Sequence, residues 1–241
     1  MTVTVRSNEL KASLKAMSAL IDTIRIDPDD NGWYMHAMSS DKTMMVDARI
    51  PDVSFEEYEK WEPFTVSIKD MLDPLAKASD TTKVDISTGR LRMRTGRVSF
   101  IRPLQGTKDP APRFPNLELD TECIVDVDIV ADILSVMSGD PKFKACRFTQ
   151  SAEDLKMEIF EDESDLGEVM RIPKADCVML SGEGVARYSM HAMAQILKSV
   201  PKGTEVDMLF STSKPMMVSY SIGDTAVRFM LAPQWEDTED E

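Results

Sequence analysis

The chain has 241 residues, of which 42 are acidic and 28 are basic, and its formal net charge is −14. This length suffices for one large core or for two cores of ordinary domain size. No apolar run approaches the roughly 20 residues that a membrane helix needs, and the N-terminus has no signal-peptide character. We therefore expect a cytoplasmic protein without a membrane partner. The negative charge also argues against general adhesion to nucleic acid.

Four helices are predicted, because apolar residues recur there at intervals of three and four. Ser7 is expected to cap the first helix, and Ser67 with Asp70 forms a loose capping box at the start of the second. Pro74 lies inside the second segment and predicts a kink or a late start. The predicted ranges are 8–21, 67–78, 127–137 and 190–200.

Most of the remaining chain alternates between apolar and polar residues and is predicted to form strands that are separated by turns. In the last strand Val227, Phe229 and Leu231 share one face. Pro233 then removes a backbone donor and ends the pairing. The predicted strands include 23–27, 33–38, 43–50, 90–94, 97–101, 156–160, 216–222 and 227–231.

Two pairs of similar segments indicate an internal duplication. Residues 75–86 (LAKASDTTKVDI) resemble residues 197–208 (LKSVPKGTEVDM), and residues 98–101 (VSFI) resemble residues 227–230 (VRFM). Each half contains helix, strands, helix, strands. The predicted fold class is therefore α+β, with antiparallel sheets that carry a few helices on one face. The predicted domains are 1–103 and 121–233, joined by a connector at 104–120 and followed by an acidic tail at 234–241.

The connector is rich in proline, since four of the chain's thirteen prolines lie between residues 103 and 119. Proline stiffens this segment, and its residues have no helical period. Phe114 and Leu117 are expected to hold it against a neighbouring surface. On composition alone, a plain linker between two domains is the alternative.

The sequence offers little for catalysis or metal binding. Cys123, Cys146 and Cys177 are widely spaced and form no Cys-x-x-Cys pair, which argues against a zinc site or a disulfide framework. The two histidines, His36 and His191, are far apart, and no glycine-rich phosphate loop or nucleophile elbow is present. The acidic residues are spread over turns and solvated faces instead of forming a magnesium site. We predict no enzyme, no catalytic residue, no metal site and no cofactor.

Four segments, in this order and at these spacings, resemble the sliding clamps of the proliferating cell nuclear antigen (PCNA) family in its archaeal form. The similarity extends over essentially the whole chain. The segments are Met38-Ser39-Ser40-Asp41, Phe114-Pro115-Asn116-Leu117, Lys214-Pro215-Met216-Met217-Val218 and Phe229-Met230-Leu231-Ala232-Pro233.

The resemblance implies two clamp domains of the DNA-clamp fold, each with antiparallel sheets outside and two helices inside. Three identical subunits would close head to tail into a ring. Such a ring is a processivity factor that encircles duplex DNA without reading its sequence. The implied partners are DNA polymerase, other replication and repair proteins that carry a short clamp-binding peptide, and a clamp loader. In a prokaryote the clamp would be associated with the nucleoid. A subunit of a hetero-trimeric clamp, of checkpoint or archaeal type, is the alternative.

The resemblance implies that basic residues on the helices face the DNA, where phosphate contacts position a protein without specifying sequence. Exposed helix faces often carry lysines whatever the function, which is the alternative interpretation. The third helix departs from the family because it carries Asp128 and Asp132, so we expect uneven contact with DNA. The predicted DNA-facing residues are Lys11, Lys15, Lys77, His191, Lys198 and Lys202.

The resemblance also implies a pocket for the partner peptide and an interface between subunits. Connectors and strand ends are exposed by nature, whereas Met45 and Leu231 would suit the core equally well. The interface is expected at two edge strands, 97–102 and 166–172, because exposed edges need pairing. The predicted pocket residues are Met38, Met45, Phe114, Leu117, Pro215, Leu231, Ala232 and Pro233. The predicted interface residues are Ser99, Ile101, Val169 and Arg171.

Overall fold

The computed structural model describes residues 1–78, 80–106, 109–110, 112–131, 143–161 and 167–234. The chain forms two compact units. Unit 1 comprises Met1–Pro115 together with Ser221–Arg228, and unit 2 comprises Asn116–Tyr220 together with the chain from Phe229 onwards. The described residues contain no helix that is long and apolar enough to cross a membrane.

Up to residue 115, the described residues of unit 1 form two α-helices, one short 3-10 helix and nine strands. The 3-10 helix covers Asp52–Ser54. The helices are α1 (Ser7–Ser18) and α2 (Ile68–Leu75), and the strands are β1 (Thr2–Arg6), β2 (Thr23–Asp29), β3 (Gly32–Met38), β4 (Met44–Pro51), β5 (Phe55–Glu57), β6 (Phe64–Ser67), β7 (Thr81–Ser87), β8 (Arg90–Thr95) and β9 (Val98–Pro103).

The strands of unit 1 run in two orders, β5-β1-β7-β8-β9 and β6-β2-β3-β4, and the registered pairs are antiparallel. Alternate residues of these strands are buried, as their period of two requires. The apolar stripe of α1 is also buried, including Leu10, Leu14 and Met17. Trp33 is fully buried, and its ring centroid lies 5.3 Å from that of Phe55.

Unit 2 repeats this pattern. The chain is helical at residues 127–131 (α3), and a 3-10 helix covers Lys174–Asp176. Helix α4 covers Met190–Ser199, and the strands are β10 (Thr121–Asp126), β11 (Phe143–Gln150), β12 (Asp154–Glu161), β13 (Gly167–Pro173), β14 (Met179–Ser181), β15 (Gly184–Ser189), β16 (Glu205–Phe210), β17 (Met216–Ile222) and β18 (Thr225–Leu231).

The predicted internal duplication is confirmed by strand order. The orders in the second half are β14-β10-β16-β17-β18 and β15-β11-β12-β13. Adding nine to each strand number of unit 1 reproduces them. Unit 2 has an aromatic core of its own, in which Phe148, Tyr188 and Phe210 are fully buried around one another. Strand β18 belongs to both units, since the division passes between Arg228 and Phe229.

Three of the predicted helices form, and one predicted cap is wrong. Ser67 caps α2 by accepting a hydrogen bond from the backbone N–H of Asp70, and Pro74 lies in the last turn of that helix. Ser7, however, lies inside α1 instead of capping it. Its hydroxyl is buried and lies 2.8 Å from the hydroxyl of Thr82, so it ties the helix to β7. The third predicted helix falls outside the described residues beyond position 131.

A buried carboxylate ties distant parts of unit 1 together. Glu9 of α1 is 1% exposed. It accepts hydrogen bonds from the hydroxyls of Ser54 and Thr225, the latter at 2.7 Å, and from the Arg6 guanidinium at 2.9 Å. Buried carboxylates are tolerated only with such partners. Glu9 therefore holds the segment that begins at Thr225, which lies 216 positions away in the chain.

We predict that the substitution Glu9→Ala destabilises the protein by about 3 kcal/mol, because two buried hydroxyls lose their acceptor. Urea unfolding followed by circular dichroism measures this change. The matched control is Asp73→Ala, which removes an exposed carboxylate from α2 and should change stability by less than about 0.5 kcal/mol. Equal effects of the two substitutions would contradict the anchoring role of Glu9.

Candidate nucleic-acid, partner and subunit surfaces

In unit 1, the polar face of α1 is basic. Its exposed or half-buried side chains are Asn8, Lys11, Lys15 and Ser18, which follow one another at helical spacing. The acidic residue of this helix, Glu9, is buried. No ion pair involves either lysine within the described part of unit 1. The stripe therefore presents positive charge to solvent.

The predicted Lys77 is exposed in unit 1, but α2 ends at Leu75, so this lysine lies in the turn beyond the helix. Its backbone N–H donates to the carbonyl of Pro74 at 3.1 Å. Helix α2 also exposes Lys69 and Asp73. The second helix of unit 1 thus has a mixed charge, in contrast to α1.

In unit 2, the polar face of α4 has no acidic residue. Ser189 caps the helix by accepting from the backbone N–H of Ala192. His191 and Lys198 are exposed on the helix, and Lys202 is exposed just beyond it. In the described part of α3, Asp128 accepts a hydrogen bond from the backbone N–H of Gly203 at 3.2 Å. Asp132 lies outside the described residues.

The predicted pocket residues of unit 1 lie at a hairpin end and on the connector. Met38 and Met45 are half-buried and face each other across β3 and β4. Met38 also lines a small cavity of about 140 Å³ with Asp109 and Pro110 of the connector. Phe114 is half-buried.

Sequence reasoning missed a cluster that surrounds Phe114. The guanidinium carbon of Arg228 lies 4.9 Å from the centroid of the Phe114 ring. Its Nε donates to Oδ1 of Asp47 at 3.0 Å, and the hydroxyl of Tyr34 donates to Oδ2 of the same carboxylate at 3.3 Å. The hydrogen bond with Asp47 raises the pKa of Arg228, while burial followed by the nearby Asp47 charge raises that of Tyr34.

The predicted pocket residues of unit 2 differ in exposure. Leu231 is 1% exposed and is therefore a core residue, whereas Ala232 and Pro233 are half-buried. Leu117 and Pro215 are half-buried as well. The segment that follows is held in place, because the backbone N–H of Gln234 donates to the carbonyl of Arg187 at 2.7 Å.

The two predicted interface strands end their strand orders. In the described residues, β9 has β8 as its neighbour, and β13 has β12. Ser99 is exposed on β9, Ile101 is 50% exposed, and Val169 on β13 is 57% exposed. Arg171 is exposed and forms an ion pair with Asp154 at 2.7 Å. Both edges thus offer unpaired backbone groups beside exposed apolar side chains.

The ionisable side chains of the described residues form no cluster that could hold a metal ion. Cys123 and Cys177 are free, with sulfur atoms 3.9 Å apart, and burial raises the pKa of both thiols. Burial followed by the neighbouring Glu122 raises the pKa of the half-buried Asp207 to about 6. His191 is exposed, whereas His36 is half-buried beside Tyr34.

The chain is similar to known proteins in both sequence and fold. No family model matches the chain. It is 24% identical to the DNA polymerase sliding clamp of Pyrococcus horikoshii and 26% identical to that of Thermococcus gammatolerans, in each case over 96% of both chains.

Solved structures show the fold. A structure of A. fulgidus PCNA with the C-terminal region of FEN-1 bound has a TM-score of 0.86 at 21% identity, covering 98% of this chain and 99% of that one. The PCNA2–PCNA3 complex from Sulfolobus tokodaii has a TM-score of 0.84 at 18% identity, with coverage of 98% and 100%. The resemblance predicted from the sequence is confirmed, and the chain has the α+β fold of PCNA.

Proposed function

We propose that the chain is the subunit of a sliding clamp, a ring that encircles duplex DNA and tethers DNA polymerase and other replication and repair proteins. The observation that carries this proposal is its similarity to archaeal DNA polymerase sliding clamps over 96% of its length. We assign it no chemistry of its own. A closed ring stays on DNA while free to slide, and tethered partners gain effective concentration there.

The charge distribution supports the DNA-binding part of this proposal. The chain is acidic as a whole, yet the exposed faces of α1 and α4 carry lysines and a histidine without an exposed acid. An acidic exterior repels DNA, so that it is held only where these helices face it. Contacts to phosphates alone leave the clamp able to slide, because they carry no sequence information.

We predict that the triple variant Lys11→Gln, Lys15→Gln and Lys198→Gln slows clamp-dependent DNA synthesis several-fold at physiological salt, because phosphate contacts supply non-specific affinity. Primer extension by the cognate polymerase with loaded clamp measures the effect. The control variant Lys60→Gln, Lys83→Gln and Lys174→Gln removes the same number of charges from exposed sites outside α1, α2 and α4. Unchanged synthesis in the first variant would refute the DNA-facing assignment.

The partner pocket is proposed from the residues that the resemblance implies, and their exposure supports it in part. Phe114, Pro215, Ala232 and Pro233 each keep part of their side chain accessible, as a docking surface requires. A docking peptide would place an aromatic or aliphatic anchor among them. Leu231 is buried in unit 2 and leaves little of its side chain accessible for such an anchor.

We predict that the double variant Phe114→Glu and Ala232→Glu reduces the affinity for a clamp-binding peptide at least 100-fold, because two charges would enter an apolar contact. Calorimetry with a synthetic peptide of the FEN-1 C-terminal region measures this loss. The matched control, Val53→Glu and Val178→Glu, changes two exposed apolar residues, one in each unit. Normal affinity of the first variant would refute the pocket.

Strand order supports a homo-oligomeric ring. Within unit 1, the segment of β18 up to Arg228 lies beside β4. By the duplication, β9 is the counterpart of β18 and β13 is the counterpart of β4. The open edges of β9 and β13 are therefore complementary in the same way, and β9 of one copy can pair with β13 of the next. Such a head-to-tail contact closes into a ring when the rotation allows it.

We predict that the wild-type protein has the mass of three chains of 27.0 kDa and that Ile101→Lys reduces it to one, because a charge would enter the paired edges. Size-exclusion chromatography with light scattering measures both masses. Val53→Lys, at an exposed apolar site outside both edges, should leave the trimer intact.

A subunit of a hetero-trimeric clamp is the second candidate, favoured by the structural similarity to the PCNA2–PCNA3 complex. In that case β9 and β13 would match the edges of different chains. A wild-type protein that elutes as a single chain would support this candidate over the homotrimer.

A further inference from the structure

The connector is held in unit 1 by side chains instead of a backbone ladder. Among its described residues, Leu104 and Gln105 make the backbone hydrogen bonds that attach its start, to Gly89 and Thr65. Residues 109–110 and 112–115 make none within the described part of the chain. Side-chain contacts must therefore fix the path of this stretch, because no pairing of its backbone does so.

Phe114 is the residue suited to this task. Its neighbours from Pro112 to Asn116 are exposed, whereas Phe114 is half-buried. Its ring lies on the guanidinium of Arg228, 4.9 Å from the guanidinium carbon. This distance is well inside the roughly 6 Å within which a cation and an aromatic face attract each other.

Arg228 is itself held in place from the other side. Its side chain is 47% exposed, but that of Asp47 is only 4% exposed. Its Nε and Nη2 atoms donate to the two oxygens of this carboxylate. Such a bidentate pair of hydrogen bonds fixes the plane of a guanidinium. Tyr34 donates to the same carboxylate. A planar cation with a fixed orientation is thus presented to the connector by β4 and β18.

We propose that Arg228 is a positioning residue for the connector. Asp47 orients its guanidinium, Phe114 stacks on it, and the connector is thereby kept on unit 1 in one arrangement before a partner arrives. Resting on the proposed function, this latch raises partner affinity, since an ordered connector spares the peptide the entropic cost of ordering it. The residues that the latch comprises are Asp47, Phe114 and Arg228.

The latch can be tested without any partner by trypsin cleavage after Arg113, which is exposed and precedes Phe114. Native-state cleavage follows the population of the open form. The double variant Asp47→Asn and Arg228→Met removes the cation without leaving a buried charge unpaired. We expect cleavage to be about fivefold faster, the factor that corresponds to a partly exposed cation–aromatic contact.

A second route leaves the ion pair untouched. Phe114→Leu keeps an apolar side chain and removes the aromatic face, so it tests the latch even if the double variant does not fold. It should also speed cleavage about fivefold. Combining all three substitutions should give no further increase, because the same contact is lost only once. Additive increases would overturn the proposal.

The matched control is Asp29→Asn with Arg49→Met. This pair also joins β4 to its surroundings, with N···O distances of 2.7 and 2.9 Å, and none of its side-chain hydrogen bonds among the described residues goes to the connector. Its loss should leave cleavage after Arg113 unchanged. An increase as large as that of the first variant would show a general loss of stability and would overturn the latch.

Partner affinity supplies the last readout. If the latch positions the connector, the affinity of the double variant for the FEN-1 peptide should fall, by a factor no larger than that by which cleavage rises, since apparent affinity scales with the closed, competent fraction. Faster cleavage with unchanged affinity would overturn the positioning role. If the peptide does not bind the wild-type protein at all, the proposed function fails, and cleavage still decides whether Arg228 holds the connector.

Discussion

The edge of a β-sheet leaves a row of backbone N–H and C=O groups unpaired, and this constraint organises the chain. A duplicated fold doubles the number of such edges. Within unit 1, β4 meets the first part of β18, so one complementary pair of edges is satisfied. The counterparts β13 and β9 end their strand orders. The duplication that builds the fold therefore also leaves two edges without a strand partner in the described residues, and these are the edges that we propose to join copies.

The alternating and helical periods sufficed to predict most elements, because burial of one face is decided locally by the residues themselves. For most of the predicted strands and helices, the predicted and the observed boundaries differ by a few residues. Ser7 shows where local reasoning fails. A serine before an apolar stripe is a normal cap, but here the hydroxyl is taken by Thr82 of β7, 75 positions away, and α1 begins without a side-chain cap.

The polar clusters could not be predicted either, because their residues also come from distant parts of the chain. Glu9 and Thr225 lie 216 positions apart, and Asp47 and Arg228 lie 181 apart. Neither pair leaves a trace in spacing or composition. The only available signal was weak: Glu9 lies in a helix between the buried Ser7 and Leu10, where a charged residue needs partners. The connector's aromatic residue was visible in the sequence, but the cation beneath it was not.

These clusters also explain how an acidic chain keeps basic faces. Two of its carboxylates, Glu9 and Asp47, are buried inside unit 1 and accept hydrogen bonds there. Such acids count toward the net charge but add little negative field to the faces of α1 and α4, because their charge is compensated locally or lies beneath other atoms. Net charge is thus a poor guide to the charge that a single helix face presents. What decides it is which side of each helix the acids occupy, and that follows from the apolar stripe.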